Sequence, residues 1–435
     1  MNPTPAADLS PGSLHAAADS PPHSAAPMKA FGALALPGYR AYLATFMLTM
    51  MADNVEHVIS YWVTFQKFHS PALGGFAVVS HWLPFLVFSV SVGALNDRFD
   101  SRRIIQAGAI LFVVASAGWG YVFLTDSLRV WQAMVLLVIH GCAGVLWMTS
   151  SQMLLYDVVG PAGLPSAVRL AATARYLGVL VGPGVGSLIM LTLGPTRGIF
   201  LNTIFYVPLI VWLVRAPYGR HFRGDRPPPR RGVKGLGEIL RTLDEVRAVP
   251  VLATMMVLAG GASFFVGNSY QAQMPGFAHD LGHGDPGTAY TMLLAADATG
   301  ALLAGILLES RGGLFRIRPQ SAAGLALMWA LALFGFALMR AYALAIAFLF
   351  VAGFFELSFS SMVQTLVQMN APERARGRVL GLYNMAAAGL RTFSGLTVGV
   401  VGSVASIHAS LAVSAVAYAS VCAVVIARLR KPLRP

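Results

Sequence analysis

Twelve apolar runs of spanning length succeed one another along the chain, over about 40–66, 73–95, 104–124, 130–156, 167–192, 197–215, 248–275, 287–308, 319–339, 341–368, 379–402 and 405–427. A helix needs roughly 20 mainly apolar residues to cross the hydrocarbon core of a bilayer. Several runs contain Gly or Pro, which neighbouring helices tolerate there because they re-satisfy the freed backbone groups. The expectation is an all-α integral membrane protein of 12 transmembrane helices.

Composition points the same way. Of 435 residues, 56% are hydrophobic and 11% charged, against about 25% charged in a soluble domain, so lipid must solvate most of the surface. The net charge of +13 raises nucleic acid as a partner until the basic residues are placed. With the N-terminus inside, 25 of the 31 Lys and Arg fall in the loops of one side, nine of them between Arg215 and Arg247. The opposite loops hold Lys67, Arg129, Arg197 and Arg340, while Arg175 and Arg391 lie within spans. Cytoplasmic loops carry the Lys and Arg excess, which places both termini in the cytoplasm and accounts for the charge without nucleic acid.

Cys142 and Cys422 stand in apolar runs and read as buried thiols, with no disulfide framework. The Ala-, Pro- and Ser-rich start lacks the layout of a signal peptide and reads as a disordered tail. The organisation expected is a tail over 1–37, a six-helix half over 38–216, a cytoplasmic loop over 217–247, a second half over 248–428 and a tail over 429–435. Within the loop, "LGEILRTLDEVRAV" has helical periodicity and suits the membrane surface.

The halves resemble each other weakly. "GALNDRFDSRR" at 93 has a worn counterpart in "GILLESRGGLFR" at 305, and "VVGPAGLPSAVRLAATARYLG" at 158 matches "MNAPERARGRVLGLYNMAAAGL" at 369. Two unrelated segments repeat at nearly one offset, which argues for duplication and for two pseudo-symmetric six-helix bundles. Parallel halves with a site between them at the membrane midplane are one known transporter plan.

Five ionisable side chains, Asp97, Arg98, Asp100, Arg102 and Arg103, crowd the turn between spans 2 and 3. Gly93 lets two helix ends approach closely, and Asp97 can accept hydrogen bonds at a neighbouring helix N-terminus, where the dipole favours an anion. Arg98, Arg102 and Arg103 can pair with acids or lipid phosphate. Such a cluster can latch one conformation and release in another. Asp157, at the end of span 4, and Glu309, at the place of Asp97 in the repeat, join it as latch candidates. This G-x-L-x-D-R-x-x-x-R-R pattern resembles the signature loop of the major facilitator superfamily. The resemblance extends over roughly 38–428 and implies that family's fold.

In span 5, "GVLVGPGVGS" spaces Gly178, Gly182 and Gly186 four apart, a smooth face for close helix packing, and Pro183 bends the rod. The order resembles the antiporter motif of drug-efflux members, which implies export in exchange for protons. "FLNTIFYV" and "APERARGRVLGLYNMAAAG" are similar to the enterobactin-exporter and macrolide-efflux branch, which implies a siderophore or an amphipathic drug as substrate. Many proton-coupled exporters carry an arginine in span 4; here the stretch is "LLVIHGCAGVLWM", with His140 and no arginine.

An ionisable group at mid-bilayer costs roughly 2.5–3.5 kcal/mol on insertion scales, so each needs a partner or a role. In span 1, Thr49, Asp53, Glu56, His57 and Ser60 fall on one helical stripe, which should face a central cavity. His57 beside a carboxylate is a proton-carrier candidate. Asp297, amid small residues, could pair with Arg175 or Arg391 or bind a cationic substrate. Glu356 resembles it but falls nearer the external end, and Arg391 is a candidate anion contact. The loop with His279, Asp280, His283 and Asp285 is read as a polar external turn. No nucleotide loop, nucleophile elbow or paired zinc-ligand set appears. The expectation is a monomeric secondary exporter, neither enzyme nor metalloprotein, whose partners are protons, lipid and a small molecule. The alternatives are a proton-coupled importer on the same fold and a non-transporting membrane sensor or scaffold.

Overall fold

A computed structural model describes residues 29–69, 71–219, 236–267, 269–282, 288–311, 314–394 and 406–430. Among them the regular structure is helical, without strands. Helix α1 (Pro37–Phe68) opens on a proline at its first position, where the missing N–H would be unpaired anyway. It is followed by α2 (Pro71–Arg98) and α3 (Ser101–Leu124). Asp100 caps α3 by accepting from the Arg102 N–H at 3.0 Å.

The long run Val130–Arg215 is three spans rather than one. Gly160 (φ 66°) and Gly194 (φ 77°) break it, each directly before a proline. Only glycine enters this left-handed region without steric cost, and proline suits the first turn of the helix that follows. The pieces are α4 (130–159), α5 (161–193) and α6 (195–215). Past the central loop come α7 (Leu236–Arg247) and α8 (Pro250–Gly261), which continues as a π-helical turn over Ala262–Val266. These two helices meet at 118°. The longer helices that follow are α9 (Thr288–Ser310), α10 (Pro319–Leu338), α11 (Tyr342–Asn370), α12 (Arg376–Asn384) and α13 (Ile407–Arg430). A π-helical turn, Met385–Gly389, extends α12.

Among the described residues seven helices are long and apolar enough to cross a membrane, with Val130–Arg215 counted once. Dividing that run, and adding α8, the polar α1 and α12, yields the expected twelve. Leu124, Leu188, Leu191 and Val413 are exposed on the flanks, as a lipid-bathed belt requires.

Two expectations shift. The seventh span stops at Val266, not 275, because the chain turns at Gly267 (φ 50°) into the short helix Ser269–Ala272. The tail expected over 1–37 is ordered from residue 29. A 3-10 turn, Gly32–Ala35, buries Ala33, the Ala33 N–H donates to Ser166 Oγ at 3.3 Å, and the Phe31 N–H donates to Glu309 Oε1 at 2.9 Å. Composition alone does not reveal acceptors supplied by distant helices. Residues 1–28, 220–235 and 431–435 lie outside the described ones.

Each half has its own apolar core. The first is built around Phe46, Phe112, Trp147 and Tyr206, the second around Phe277, Trp329, Phe336 and Tyr418. The halves meet where α2 lies against α12 and α5 against α9. A Cβ at Gly93 would strike the Gly377 carbonyl, and one at Gly305 would strike Thr173. Both crossings lie toward the face where α1 begins and α13 ends. On the other side Gly184 looks into open space, and there a cavity enters between the halves.

Candidate functional site

The polar stripe of α1 meets a histidine from α4. His140 Nδ1 lies 2.8 Å from Glu56 Oε1, and His140 Nε2 lies 2.8 Å from Asp53 Oδ1. Glu56 also accepts from the Ser116 hydroxyl of α3, and Ser116 in turn accepts from Asn202 Nδ2 of α6 at 3.2 Å. His140 is 2% exposed and Glu56 1%. Phe112 stands edge-on to the imidazole with centroids 4.9 Å apart.

If both contacts are hydrogen bonds, this arrangement sets a proton count. An imidazole nitrogen at 2.8 Å from a carboxylate oxygen needs one hydrogen between them, so the triad needs two. Either both are on the imidazolium, or one is on the ring and one on a carboxyl group. Removing one leaves a lone pair facing a carboxylate, and that contact must open. Proton occupancy and side-chain geometry are therefore coupled.

The second half has a comparable arrangement. Tyr270 Oη lies 3.2 Å from both Asp297 Oδ2 and Glu356 Oε2, and Gln271 Nε2 donates to Asp297 Oδ2 at 2.9 Å. A phenol has one hydrogen. Both contacts are hydrogen bonds only when one of the two carboxyl groups is protonated. Asp297 Oδ1 is buried without a hydrogen-bond partner among the described residues.

Both clusters border one cavity of about 680 Å³, lined by Asp53, His57, His81, Arg175, Asp297, Glu356 and Arg391 with aromatic walls from Tyr61, Trp82, Trp147 and Tyr176. The Arg391 guanidinium lies 4.9 Å from the Trp82 ring centroid. Toward the face where α1 begins a smaller space of about 130 Å³ shares Trp82, Arg175, Glu356 and Arg391 and ends at Gln152 and Asn384. There the two amides pair reciprocally across the halves: Gln152 Nε2 donates to Asn384 Oδ1 at 3.0 Å, and Asn384 Nδ2 to Gln152 Oε1 at 3.2 Å.

Beyond this amide pair two acids at corresponding places, Asp97 and Glu309, each reach a residue of the opposite half. Asp97 accepts from the backbone N–H groups of Gly377 (2.7 Å) and Arg378 (3.2 Å) at the N-terminus of α12, with Arg378 Nε at 3.6 Å. Its counterpart Glu309 pairs with Arg169 at 2.7 Å and accepts from Ser166 Oγ and the Phe31 N–H. Arg102 pairs with Asp100 at 2.7 Å and donates to the Ala216 carbonyl. Arg103 donates to Gln106 at 3.0 Å. Arg98 ends α2, and Asp157 sits half-buried in the last turn of α4. Gly178, Gly182 and Gly186 pack α5 against Met50, Asn54 and Val55 of α1, which sets the position of the helix bearing the two acids of the triad, while Pro183 borders the cavity.

Several expectations change in detail. His57 is 3.7 Å from Asp53, and the close partner of both α1 acids is instead His140. Glu56 points into the first half behind His140, whereas Asp53 and His57 face the cavity. Among the described residues neither Arg175 nor Arg391 reaches Asp297, whose partners are Tyr270 and Gln271. Glu356 lies on the cavity within reach of Tyr270. His279 contacts Asp280 at 3.3 Å; His283 and Asp285 fall outside the described residues. Ser116, Asn202, Gln152, Asn384 and Arg169 went unrecognised in the sequence, because each is defined by a partner on another helix.

The family model described as Major Facilitator Superfamily matches residues 41–395. The Multidrug efflux pump Tap of Mycolicibacterium fortuitum is 24% identical over 378 residues, 83% of this chain and 89% of the relative. The pump of that name from Mycobacterium tuberculosis is 25% identical over 222 residues, 49% of this chain and 52% of the relative. Among solved structures, the transporter FucP in the outward conformation superposes with a TM-score of 0.73 at 13% identity, covering 91% of this chain and 98% of the other. The proton:xylose symporter XylE gives 0.68 at 16%, covering 89% and 94%.

Proposed function

The chain belongs to the Major Facilitator Superfamily, and from that premise we propose that it is a proton-coupled antiporter of the bacterial inner membrane, exporting an amphipathic drug or a siderophore by alternating access. The observation that carries this reading is the buried Asp53–His140–Glu56 triad at the wall of a cavity closed toward one face.

The Lys and Arg excess makes the latched face cytoplasmic, so the cavity opens outward. A proton arriving there reaches Asp53 or the Asp297–Glu356 pair and neutralises buried charge. The latches at Asp97 and Glu309 then release, the cavity opens inward, and cytoplasmic substrate displaces the proton. One elementary charge moving down 100 mV supplies about 2.3 kcal/mol, enough to bias such a cycle. The efflux-pump relatives support the outward direction. Aromatic walls suit an apolar substrate body, and the acids and arginines suit a polar or charged end.

Purified protein in proteoliposomes tests the proposal. With an acidic interior, protons leave and a fluorescent amphipathic cation should accumulate inside. Uptake driven by external acid would make the protein an importer, and absence of protein-dependent flux for drug and siderophore probes alike would contradict transport.

A further inference from the structure

The first half brings together three histidines far apart in sequence. His57 of α1, His81 of α2 and His140 of α4 each place one ring nitrogen within 4.8 Å of the others. Their ring centroids are 4.6 Å (His57–His140), 5.0 Å (His57–His81) and 5.7 Å (His81–His140) apart. The members are not equivalent. His140 spends both nitrogens on Asp53 and Glu56. His57 and His81 line the 680 Å³ cavity beside Asp53, and His81 Nδ1 is buried without a hydrogen-bond partner among the described residues. Asp53 turns Oδ1 to His140 and Oδ2 to His57, at 3.7 Å.

We propose that His57, His81 and Asp53 form a binding site for a divalent transition-metal ion of the zinc, nickel and copper(II) class. Two imidazoles and a carboxylate suit this borderline-soft group, and a fourth position faces the cavity, open to water or a donor atom of a substrate. A Zn–N bond of about 2.05 Å sets a tetrahedral N···N separation of ~3.3 Å, against ring nitrogens within 4.8 Å of one another, so the imidazoles must converge by up to about 1.5 Å. His140 supports the site from behind: its bond to Oδ1 orients the Asp53 carboxylate and leaves Oδ2 to the ion, as outer-shell partners do at metal centres. Asp53 and Glu56 supply negative charge, and two cations line the same cavity, Arg175 and Arg391, the latter stacked on Trp82. An ion held here withdraws Asp53 and His57 from proton exchange.

Binding can be read without transport. Purified, tag-free protein in detergent is titrated with NiCl₂ or ZnCl₂ by calorimetry at neutral pH. One ion per chain at micromolar affinity is expected, with at least tenfold weakening in His57→Ala and in His81→Ala. The remote surface variant His279→Ala binds as the wild type does. With copper(II), electron paramagnetic resonance should show nitrogen couplings from two imidazoles. His81→Gln keeps most of the side-chain volume but lacks the ring nitrogens, so equal weakening in Gln and Ala separates loss of a ligand from loss of fold. No saturable binding, wild-type binding in the double variant His57→Ala/His81→Ala, or full binding in His81→Gln overturns the proposal.

Discussion

Replacing Asp97 with alanine removes the carboxylate that holds α12 against α2. It is 7% exposed and accepts two backbone N–H groups at 2.7 and 3.2 Å, with Arg378 at 3.6 Å. A hydrogen bond to a charged group is worth about 1.5–3 kcal/mol, and an anion at a helix N-terminus up to about 2 kcal/mol in partly buried geometry. These terms overlap, because the same N–H groups are the positive end of the dipole. In the released state water satisfies the N–H groups, so the loss falls on the latched state alone. A net penalty of about 3 kcal/mol follows, roughly a hundredfold at 1.4 kcal/mol per decade. A latched-to-released ratio of about 99:1 would become near-equal populations. Nitroxides at Phe99 and Arg374, both exposed on that face, in a background free of Cys142 and Cys422, report the separation by double electron–electron resonance. The Asp97→Ala distribution should move to longer distances, with Asp97→Asn, which keeps one acceptor, in between. An unchanged distribution in Asp97→Ala would refute the latch reasoning.

Three further outcomes are expected. Glu56→Gln and Asp297→Asn should each cut gradient-driven accumulation more than tenfold while substrate exchange without a gradient persists, measured in the same proteoliposomes. Gly178→Val should lower thermal stability by the 1–3 kcal/mol typical of overpacking, because a Cβ there meets Met50 and the Met51 backbone, whereas Gly184→Ala, which faces open space, should melt as the wild type does. Outside the membrane, hydrogen bonding and charge from Lys67 hold the Asp126 carboxyl below the usual carboxylate range. Its folded pKa lies under its unfolded value, so the pair stabilises the fold above about pH 4 and loses that contribution as pH falls through the folded value. The stability difference between wild type and Lys67→Ala should be constant from pH 5 to 8 and vanish in acid.

Much of the scaffold is legible from hydropathy because lipid admits few alternatives. Span count, duplication and the Asp97 turn each follow from local patterns. The α1 stripe is legible for the same reason: helical period places Asp53, Glu56 and His57 together whatever surrounds them. Partner choice is not local. His140 stands alone in an apolar run, and only the packing of α4 on α1 places it between two acids. Asp297 shows the converse: charge alone suggests Arg175 or Arg391 as its partner, yet Tyr270 and Gln271, just beyond the turn at Gly267, reach it first. Sequence offset pairs Asp97 with Glu309, but that each holds an arginine of the opposite half, Arg378 and Arg169, depends on how the halves dock.

The account rests on substrate and proton competing for one buried set of acids. Proton release on substrate binding, read with an indicator dye in weakly buffered detergent solution, measures that competition directly. Saturating substrate should release about one proton per chain between pH 6 and 8, and markedly less from Glu56→Gln. Saturable substrate binding with no proton release anywhere between pH 5.5 and 8 would contradict it.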